Sequence, residues 1–203
     1  MAYSQNNEEE VIIAEFARLN VQSGRFLDIG AWDGKGFSNT YRLAELGWRG
    51  VSVEASPTVF PGLLKNLATF PLVTPVNAVV SPNQSKLVQW FDSGGDAISS
   101  TNPAHVAKWE AGWKVKFTPF WVYTMPILTL FDQFGFDFDF INIDVESTNL
   151  ELFLALPWKA LKQTKVICVE HDYHQNDMAQ IAGQYGFRPL SMNGENLIFT
   201  RQL

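Results

Sequence analysis

The sequence has little cysteine, no long hydrophobic run and no cluster of basic residues. Its 203 residues include one cysteine, Cys168, which excludes an internal disulfide or a zinc site made of several cysteines. No apolar run approaches the roughly 20 residues that span a bilayer. The first residues, MAYSQNNEEEVIIAEF, lack the pattern of a signal peptide. We therefore expect a cytoplasmic protein that does not bind a membrane.

Acidic residues outnumber basic ones. Asp and Glu total 21 and Lys and Arg total 15, for a formal net charge of −6, and the basic residues are scattered. Clustered positive charge binds nucleic-acid backbones and anionic membranes, so we expect neither as a partner. We expect a small-molecule partner, and the sequence leaves a homo-oligomer open.

The size and periodicity of the chain predict one α/β domain over residues 1–203. Hydrophobic residues make up 46% and charged residues 18%, which suits one sizeable core. Apolar runs alternate with segments of helical spacing, which is typical of a mostly parallel sheet with helices on both faces. Strands are predicted over residues 25–29, 50–54, 72–80, 138–145 and 165–170, and helices over 8–19, 36–46, 58–67, 150–156 and 176–185.

Two segments depart from this alternation. The C-terminal FRPLSMNGENLIFT has two strand-like runs, and its Asn193-Gly194 pair favours an antiparallel hairpin with a type I′ turn. Residues 84–135 are rich in Trp and Phe, and we predict an insertion there. Its aromatic side chains form either a lid or acceptor pocket, or a cover for the sheet edge or a subunit interface. They are Trp109, Trp113, Phe117, Phe120 and Trp121.

The run FLDIGAWDG, residues 26–34, predicts a buried strand that ends in a glycine turn. Gly30 and Gly34 allow a tight turn and the close approach of a ligand. Asp28 and Asp33 would repel a pyrophosphate, whereas they suit a ligand with an ammonium group and ribose hydroxyls. S-adenosylmethionine is such a ligand.

Polar residues recur where the predicted strands end. In an open parallel sheet, ligands bind beyond the carboxyl ends of the strands. Glu54 ends the second strand, and an acid there can accept hydrogen bonds from both ribose hydroxyls of an adenosine ligand. The other polar or small residues at strand ends are Asp28, Asp33, Gly34, Ala55, Asn77, Ala78, Asp144, Glu146, Glu170, His171 and Asp172. Their convergence on one edge indicates a binding site.

Several motifs together resemble those of FkbM-type methyltransferases, a group of the class I S-adenosylmethionine-dependent enzymes. They are DIGAWDG, GWRGVSVEASPTVFPGLLKN, NAVVS, FDFINIDVE and VICVEHD. The resemblance implies a Rossmann-like sheet of seven strands with the last strand antiparallel. It also implies that the Gly30-Ala31 backbone lies against the methionyl part, that Glu54 binds the ribose, and that Asn77-Ala78 borders the adenine.

We therefore predict a cofactor site formed by nine residues of the first three strand ends. They are Asp28, Gly30, Ala31, Asp33, Gly34, Glu54, Ala55, Asn77 and Ala78. The family pattern on the fourth strand is K-I-D-V-E-G-A-E, whereas this chain has Asn142, Ser147 and Asn149 in place of the lysine, the glycine and the last acid. The resemblance implies a hydroxyl acceptor on a sugar or polyketide-like molecule. The three changes lie in the part of the site where the chemistry of this acceptor is expected.

Methyl transfer needs a positioned acceptor and, for a hydroxyl, a base that removes its proton. The predicted catalytic residues are Asp144, Glu146 and His171, and the alternative for His171 is that it only hydrogen-bonds the strand end. A further hypothesis places a magnesium ion on Asp144 with Glu170 or Asp172.

The main hypothesis is a small-molecule O-methyltransferase that uses S-adenosylmethionine. One alternative is a nicotinamide-dependent oxidoreductase, but the turn lacks G-x-G-x-x-G and carries Asp28 where that fold has an apolar residue or glycine. Another is a protein that binds the cofactor without turnover, which the changes at Asn142, Ser147 and Asn149 motivate.

Overall fold

A computed structural model describes residues 2–202 and contains ten strands and seven helices in that range. The strands are β1 (Arg25–Ile29), β2 (Arg49–Glu54), β3 (Val73–Asn77), β4 (Val79–Ser81), β5 (Leu87–Asp92), β6 (Thr118–Pro126), β7 (Phe140–Ile143), β8 (Val166–Glu170), β9 (Phe187–Met192) and β10 (Asn196–Arg201). The helices are α1 (Glu8–Arg18), α2 (Tyr41–Glu45), α3 (Phe60–Leu67), α4 (Pro103–Trp113), α5 (Ile127–Phe134), α6 (Asn149–Leu154) and α7 (Gln175–Gln184). None of these helices is long and apolar enough to cross a membrane.

Seven strands form the central sheet in the order β3-β2-β1-β7-β8-β10-β9. The pairs from β3 to β8 are parallel, and β10 runs antiparallel to both of its neighbours. This topology confirms the predicted mostly parallel sheet with a C-terminal antiparallel hairpin. Ile29 pairs with Val53 on one side and Ile143 on the other, so β1, β2 and β7 end at the same edge.

Helices cover both faces of the sheet, as predicted. Successive strand residues point to opposite faces, so Phe26 and Leu27 belong to different cores. The core on the Leu27 side contains buried residues of α5, α6 and α7, and the core on the Phe26 side contains residues of α1, α2 and α3. Because both faces are buried, the central strands are almost continuously apolar.

The helix predicted over residues 36–46 forms only from Tyr41, so its first half was wrong. Phe37 has a left-handed φ of 52°, and the Ser38 hydroxyl oxygen accepts hydrogen bonds from the backbone N–H groups of Thr40 (3.2 Å) and Tyr41 (3.0 Å). These side-chain bonds to the backbone replace the first helical turn. They also turn Thr40 towards the sheet, where it reaches Asp28.

The strand predicted over residues 72–80 is two strands that belong to different sheets. β3 ends at Asn77, and β4 begins at Val79 and pairs with β6. Ala78 lies at the break, where its N–H donates to the carbonyl oxygen of Glu54 at 3.1 Å.

The C-terminal hairpin forms, but the predicted type I′ turn was wrong. Residues 193–195 separate β9 from β10, and neither Asn193 nor Gly194 has the positive φ that this turn requires. Instead, Asn193 Oδ1 accepts hydrogen bonds from the N–H groups of Glu195 (2.9 Å) and Asn196 (2.7 Å). The Asn193 side chain therefore closes the loop.

The aromatic segment 84–135 contains β5, α4, β6 and α5. β5 and β6 join β4 in a second sheet of three strands, in the order β4-β6-β5. The predicted insertion extends too far, because α5 packs its fully buried Ile127, Leu130 and Phe131 into the core of the main sheet. The inserted elements therefore end with β6. That the chain is a single domain stays a prediction.

Candidate active site

A cavity of about 760 Å³ opens at the carboxyl ends of β1, β2, β7 and β8, and its wall also includes residues of α4 and of the loop before it. Small-molecule sites usually have volumes of this order. The position agrees with the rule that open α/β sheets bind ligands beyond the carboxyl ends of their strands.

Strained backbone conformations are concentrated in the wall of the cavity. Six of its non-glycine residues have a left-handed φ between 44° and 76°. They are Trp32, Phe37, Glu146, Ser147, Asp172 and Tyr173. Such conformations cost about 1–3 kcal/mol each and cluster at functional sites. Their concentration on one wall independently marks the cavity as the candidate site.

The turn after β1 forms part of the cavity floor. Gly30 has φ +91°, and a Cβ atom there would lie 1.6 Å from the carbonyl oxygen of Asp144. The N–H groups of Gly30 and Ala31 both donate to the carbonyl oxygen of Val53, at 2.9 Å each. The predicted methionyl-binding turn is therefore held between β2 and the end of β7, and only glycine fits at its centre.

Asp28 lies beneath this turn and is 2% exposed. Its carboxylate accepts hydrogen bonds from Thr40 Oγ1 (2.6 Å) and Asn142 Nδ2 (2.9 Å). Burial raises its pKa above the ordinary value, although both hydrogen bonds oppose that shift. Asp28 therefore contributes a polar group to the cavity wall and fixes the orientation of Asn142.

Glu54 ends β2 at the cavity. Its Oε2 accepts from the N–H of Trp32 at 2.9 Å, and its Oε1 accepts from the N–H of Ser56 at 2.6 Å. Burial raises the pKa of Glu54 to about 7. Each carboxylate oxygen can accept a second hydrogen bond, so the geometry leaves the acceptors that a ribose diol requires.

Asp33 and Gly34 do not line the cavity. Asp33 Oδ1 accepts hydrogen bonds from the N–H groups of Lys35 (2.9 Å) and Gly36 (2.7 Å), and a Cβ atom on Gly34 would lie 2.4 Å from Leu63 on α3. Both residues shape the turn rather than face a ligand.

Asn77 also lies outside the cavity wall, whereas Ala55 and Ala78 are part of it. The exposed Asn77 donates from Nδ2 to the carbonyl oxygens of Glu54 (2.8 Å) and Ala55 (3.2 Å). It therefore fixes the strand end that carries Glu54, and a direct contact with the adenine is not supported.

The predicted catalytic acid Asp144 meets Glu170, which was predicted only as a possible magnesium ligand, at the other side of the cavity. Asp144 follows β7, Glu170 ends β8, and their carboxyl groups are in hydrogen-bond contact. Burial is the largest cause that raises both pKa values, and the negative neighbours add to it. The pKa of Asp144 lies well above its ordinary value and that of Glu170 is about 6. Burial and the contact between the two carboxyl groups therefore both favour the protonated form of Asp144.

Glu146 lines the same side. Burial, and then the nearby charges of Glu170, Asp172 and Glu195, raise its pKa to about 8. The nearest imidazole nitrogen, His105 Nε2, is 3.8 Å from Glu146 Oε2, too far for a hydrogen bond.

The three departures from the family pattern all have defined hydrogen bonds. Asn142 Nδ2 donates to Asp28, and Ser147 Oγ bonds His105 Nδ1 at 2.8 Å. Asn149 Nδ2 donates to Glu170 Oε2 (2.6 Å) and to Asp172 Oδ2 (3.0 Å). An acid at position 149 would place a third carboxylate beside Glu170 and Asp172, whereas the amide of Asn149 donates hydrogen bonds to both.

His171 lines the cavity, but both of its ring nitrogens have backbone partners. Nδ1 accepts from the N–H of Tyr173 at 3.1 Å, and Nε2 lies 3.3 Å from the carbonyl oxygen of Asn193. A base needs a free nitrogen lone pair. The arrangement favours the alternative in which His171 ties β8 to the hairpin loop.

The magnesium hypothesis gains no support. Within residues 2–202, no group of three or more His, Cys, Asp and Glu side chains could hold a metal ion. Asp144 and Glu170 contact each other, and Asp172 accepts from Asn149. These carboxylates therefore do not converge on one point.

His105, Trp32 and Trp90 also line the cavity, although none of them was predicted as a site residue. The indole N–H groups of Trp90 and Trp109 are buried without a partner in the described structure. Of the five aromatic residues proposed as a lid or acceptor pocket, only Trp109 lines the cavity. Trp113 and Trp121 are 75% and 64% exposed.

The raised pKa values predict that the ligand-free protein loses stability as the pH rises. The folded-state pKa values are about 7 for Glu54, about 8 for Glu146 and about 6 for Glu170, against an ordinary value of 4.5. Between pH 4.5 and these raised pKa values, the folded protein therefore binds more protons than the unfolded chain. Its free energy of unfolding falls as the pH rises through this range. We expect the thermal midpoint to decrease from about pH 5 to about pH 8, and Glu146→Gln to flatten the decrease. A midpoint that rises over this range would contradict the burial of these carboxyl groups.

No protein-family model matches the chain, and no curated protein matches its sequence. Solved structures do match over nearly the whole chain. A precorrin-6y C5,15-methyltransferase from Geobacter metallireducens is 14% identical, with 95% of this chain and 87% of that one covered and a TM-score of 0.53. A putative methyltransferase from Escherichia coli is 12% identical, with 100% and 89% covered and a TM-score of 0.53. A putative RNA methyltransferase from Pyrococcus horikoshii is 12% identical, with 98% and 85% covered and a TM-score of 0.51. The chain thus has the α/β Rossmann-like fold of S-adenosylmethionine-dependent methyltransferases.

Proposed function

We propose that the protein transfers a methyl group from S-adenosylmethionine to a small-molecule acceptor, as an enzyme similar to the FkbM type. The observation that carries the proposal is Glu54, a buried acid that ends β2 at the cavity and keeps acceptor capacity on both oxygens. It lies beside the glycine turn of β1 in a methyltransferase fold. A ribose diol and a methionyl group fit these two features together.

The residues of the cavity fit the donor. Glu54 would accept from the ribose hydroxyls, Ala55 and Ala78 would border the adenine, and Gly30 would lie against the methionyl part. The side chain of Trp90 adds an aromatic surface to the same wall. Acidic groups around the turn favour a ligand with a sulfonium and an ammonium group.

The charge of the cavity supports a small molecule rather than RNA as acceptor. Among the described residues of its wall, Lys108 is the single Lys or Arg. Eight acids line the same wall, namely Asp28, Glu54, Asp96, Asp144, Glu146, Glu170, Asp172 and Glu195. One of the structural relatives is named for RNA, but this wall has little positive charge to attract a phosphate backbone.

We propose a hydroxyl as the acceptor and the Asp144–Glu170 pair as its base. The donor supplies an electrophilic methyl group, and the carbon–sulfur bond breaks with its electrons left on sulfur. As the hydroxyl oxygen forms its bond to the methyl carbon, the pair takes up the hydroxyl proton, and the Glu170 pKa of about 6 suits this role under neutral conditions. Asp144 lies next to Gly30, which places this base beside the methionyl turn.

The alternatives receive less support. A dinucleotide needs free backbone N–H groups for its pyrophosphate, and those of Gly30 and Ala31 are bonded to Val53. A binding protein without turnover was motivated by Asn142, Ser147 and Asn149, but their hydrogen bonds leave the acidic pair in place.

Calorimetry tests the donor site directly. We expect S-adenosylhomocysteine to bind with a dissociation constant in the micromolar range, that is about −8 kcal/mol, and NADH to cause no fluorescence change. Labelled methyl transfer to an acceptor panel then tests turnover. Absence of S-adenosylhomocysteine binding would refute the proposed function, and binding without transfer to any acceptor would favour the alternative without turnover.

A further inference from the structure

The three-stranded sheet exposes an apolar surface on one of its two faces. Alternate residues of a strand point to opposite faces, and β5 and β6 pair in an antiparallel register that brings three pairs of side chains to the same face. We call this surface the outer face, and its residues are Leu87, Gln89, Phe91, Pro119, Trp121 and Tyr123. The side chains of Leu87, Trp121 and Tyr123 are 51%, 64% and 75% exposed.

The opposite face of the same sheet is turned towards the rest of the protein. Trp90 of β5 and Phe120 of β6 pair on this face, and Trp90 is buried and lines the cavity. Single exposed apolar residues are common on protein surfaces. On the outer face, however, Leu87 lies directly opposite Tyr123, and Trp121 belongs to the next pair, so the exposed groups form one contiguous patch.

The size of this patch suits the centre of a protein interface. Because a large aromatic side chain covers about 150–250 Å², the exposed parts of Trp121, Tyr123 and Leu87 amount to roughly 350–400 Å². A stable dimer buries about 800 Å² on each partner, as an apolar centre within a polar rim. The outer face therefore supplies close to half of the required area. The exposed Lys86 and Thr118, at the ends of the two strands, can contribute to the rim.

The charge of the outer face indicates which partner covers it. None of its six residues is charged, although the chain as a whole has a formal net charge of −6. A two-fold axis places the same surface of two copies opposite itself, and like charges across such an axis would repel. An uncharged apolar surface is therefore complementary to its own copy. A nucleic acid or an anionic membrane would instead require Lys or Arg side chains on this surface.

We propose that two copies of this chain pack through their outer faces and form a symmetric dimer. Trp121 belongs to the middle pair of the outer face, with Gln89, and so lies at the centre of the interface. Large aromatic side chains at the centre of an interface contribute most of its binding energy. A two-fold interface is closed, so the association stops at two copies. The dimer goes beyond the proposed function, since it does not depend on what the cavity binds.

Sedimentation velocity tests the oligomeric state of the whole chain. We expect twice the mass of one chain over a concentration series of about 1 to 100 μM, with a dissociation constant in the micromolar range or below. A single-chain mass at the highest concentration would overturn the proposal. So would a mass that continues to grow beyond two chains, because that requires an interface that does not close.

Two matched variants locate the interface. Trp121→Glu removes the central side chain and places two negative charges opposite each other, so it should weaken dimerisation by more than about 30-fold. The control is Trp113→Glu, since Trp113 is similarly exposed but neighbours Trp109 on the cavity side. It should leave the dissociation constant within about threefold of the wild type.

Circular dichroism shows whether each variant is folded. Tyr123→Ser, which adds no charge, should weaken dimerisation about tenfold and provides the measurement if Trp121→Glu does not fold. A dimer that persists unchanged in the folded outer-face variants would overturn the proposal, because the interface would then lie elsewhere. An equal loss in Trp113→Glu would overturn it as well.

Discussion

A Gly30→Ala variant is expected to lose about 3 kcal/mol or more of its free energy of unfolding. The added Cβ atom would lie 1.6 Å from the carbonyl oxygen of Asp144. Because this oxygen belongs to the backbone, no side-chain rotation can relieve the clash. The φ of +91° adds strain for any residue with a Cβ atom. Urea denaturation followed by circular dichroism measures the loss.

Gly183→Ala is the matched control. Gly183 lies in α7, and no atom is within 4 Å of a Cβ atom placed there. Because alanine is the better helix former, this variant should gain about 0.5–1 kcal/mol. If Gly30→Ala unfolds within about 0.5 kcal/mol of the wild type, the turn is looser than described and Gly30 loses its role in shaping the cavity floor.

The residues that the sequence predicted well depend on local patterns. Leu27 and Ile29 are buried on one face of β1 and Phe26 on the other, which produces the apolar run that marks a central strand. Gly30 and Glu54 directly follow or end such strands, and parallel strands bring their carboxyl ends to one edge. The strand pattern was therefore sufficient to place both at the cavity.

The residues that the sequence placed wrongly or missed depend on contacts between distant segments. Asn77 follows the same strand-end rule as Glu54, but its side chain turns back to two carbonyl oxygens and leaves the cavity. His105 lies in an insertion without a repeat, and its partner Ser147 is 42 residues away. Such pairs become visible only when the chain is folded.

The contacts of Asn142, Ser147 and Asn149 also could not be predicted from the sequence. Compared with the family pattern, Asn142 and Asn149 each replace a charged residue and Ser147 replaces a glycine. These differences suggested that the binding of the acceptor is altered. In the structure Asn142 links Asp28 to Asn39, and Asn149 holds Glu170 and Asp172 together. The left-handed φ of Ser147, 76°, marks where glycine would be favoured. The serine instead supplies the partner of His105.

A Glu54→Ala variant is expected to bind S-adenosylhomocysteine about 100-fold more weakly than the wild type, which is about 2.8 kcal/mol. Two hydrogen bonds from ribose hydroxyls to a carboxylate account for a loss of that size. The variant also leaves the N–H groups of Trp32 and Ser56 without their acceptor, so some stability is lost as well. Calorimetry measures the affinity, and a denaturation curve recorded in parallel shows that the variant is folded.

Glu54→Gln separates the charge from the shape. The amide keeps one oxygen acceptor but turns its NH₂ group towards the N–H of either Trp32 or Ser56, so we expect an intermediate loss of about tenfold. Because the pKa of Glu54 is about 7, wild-type affinity should weaken below that pH as the carboxylate is protonated, and the glutamine variant should lack this dependence. Glu151→Ala, at an exposed position of α6, should bind like the wild type. A folded Glu54→Ala protein that binds within about threefold of the wild type would remove Glu54 as the ribose ligand, and with it the observation on which the proposed function rests.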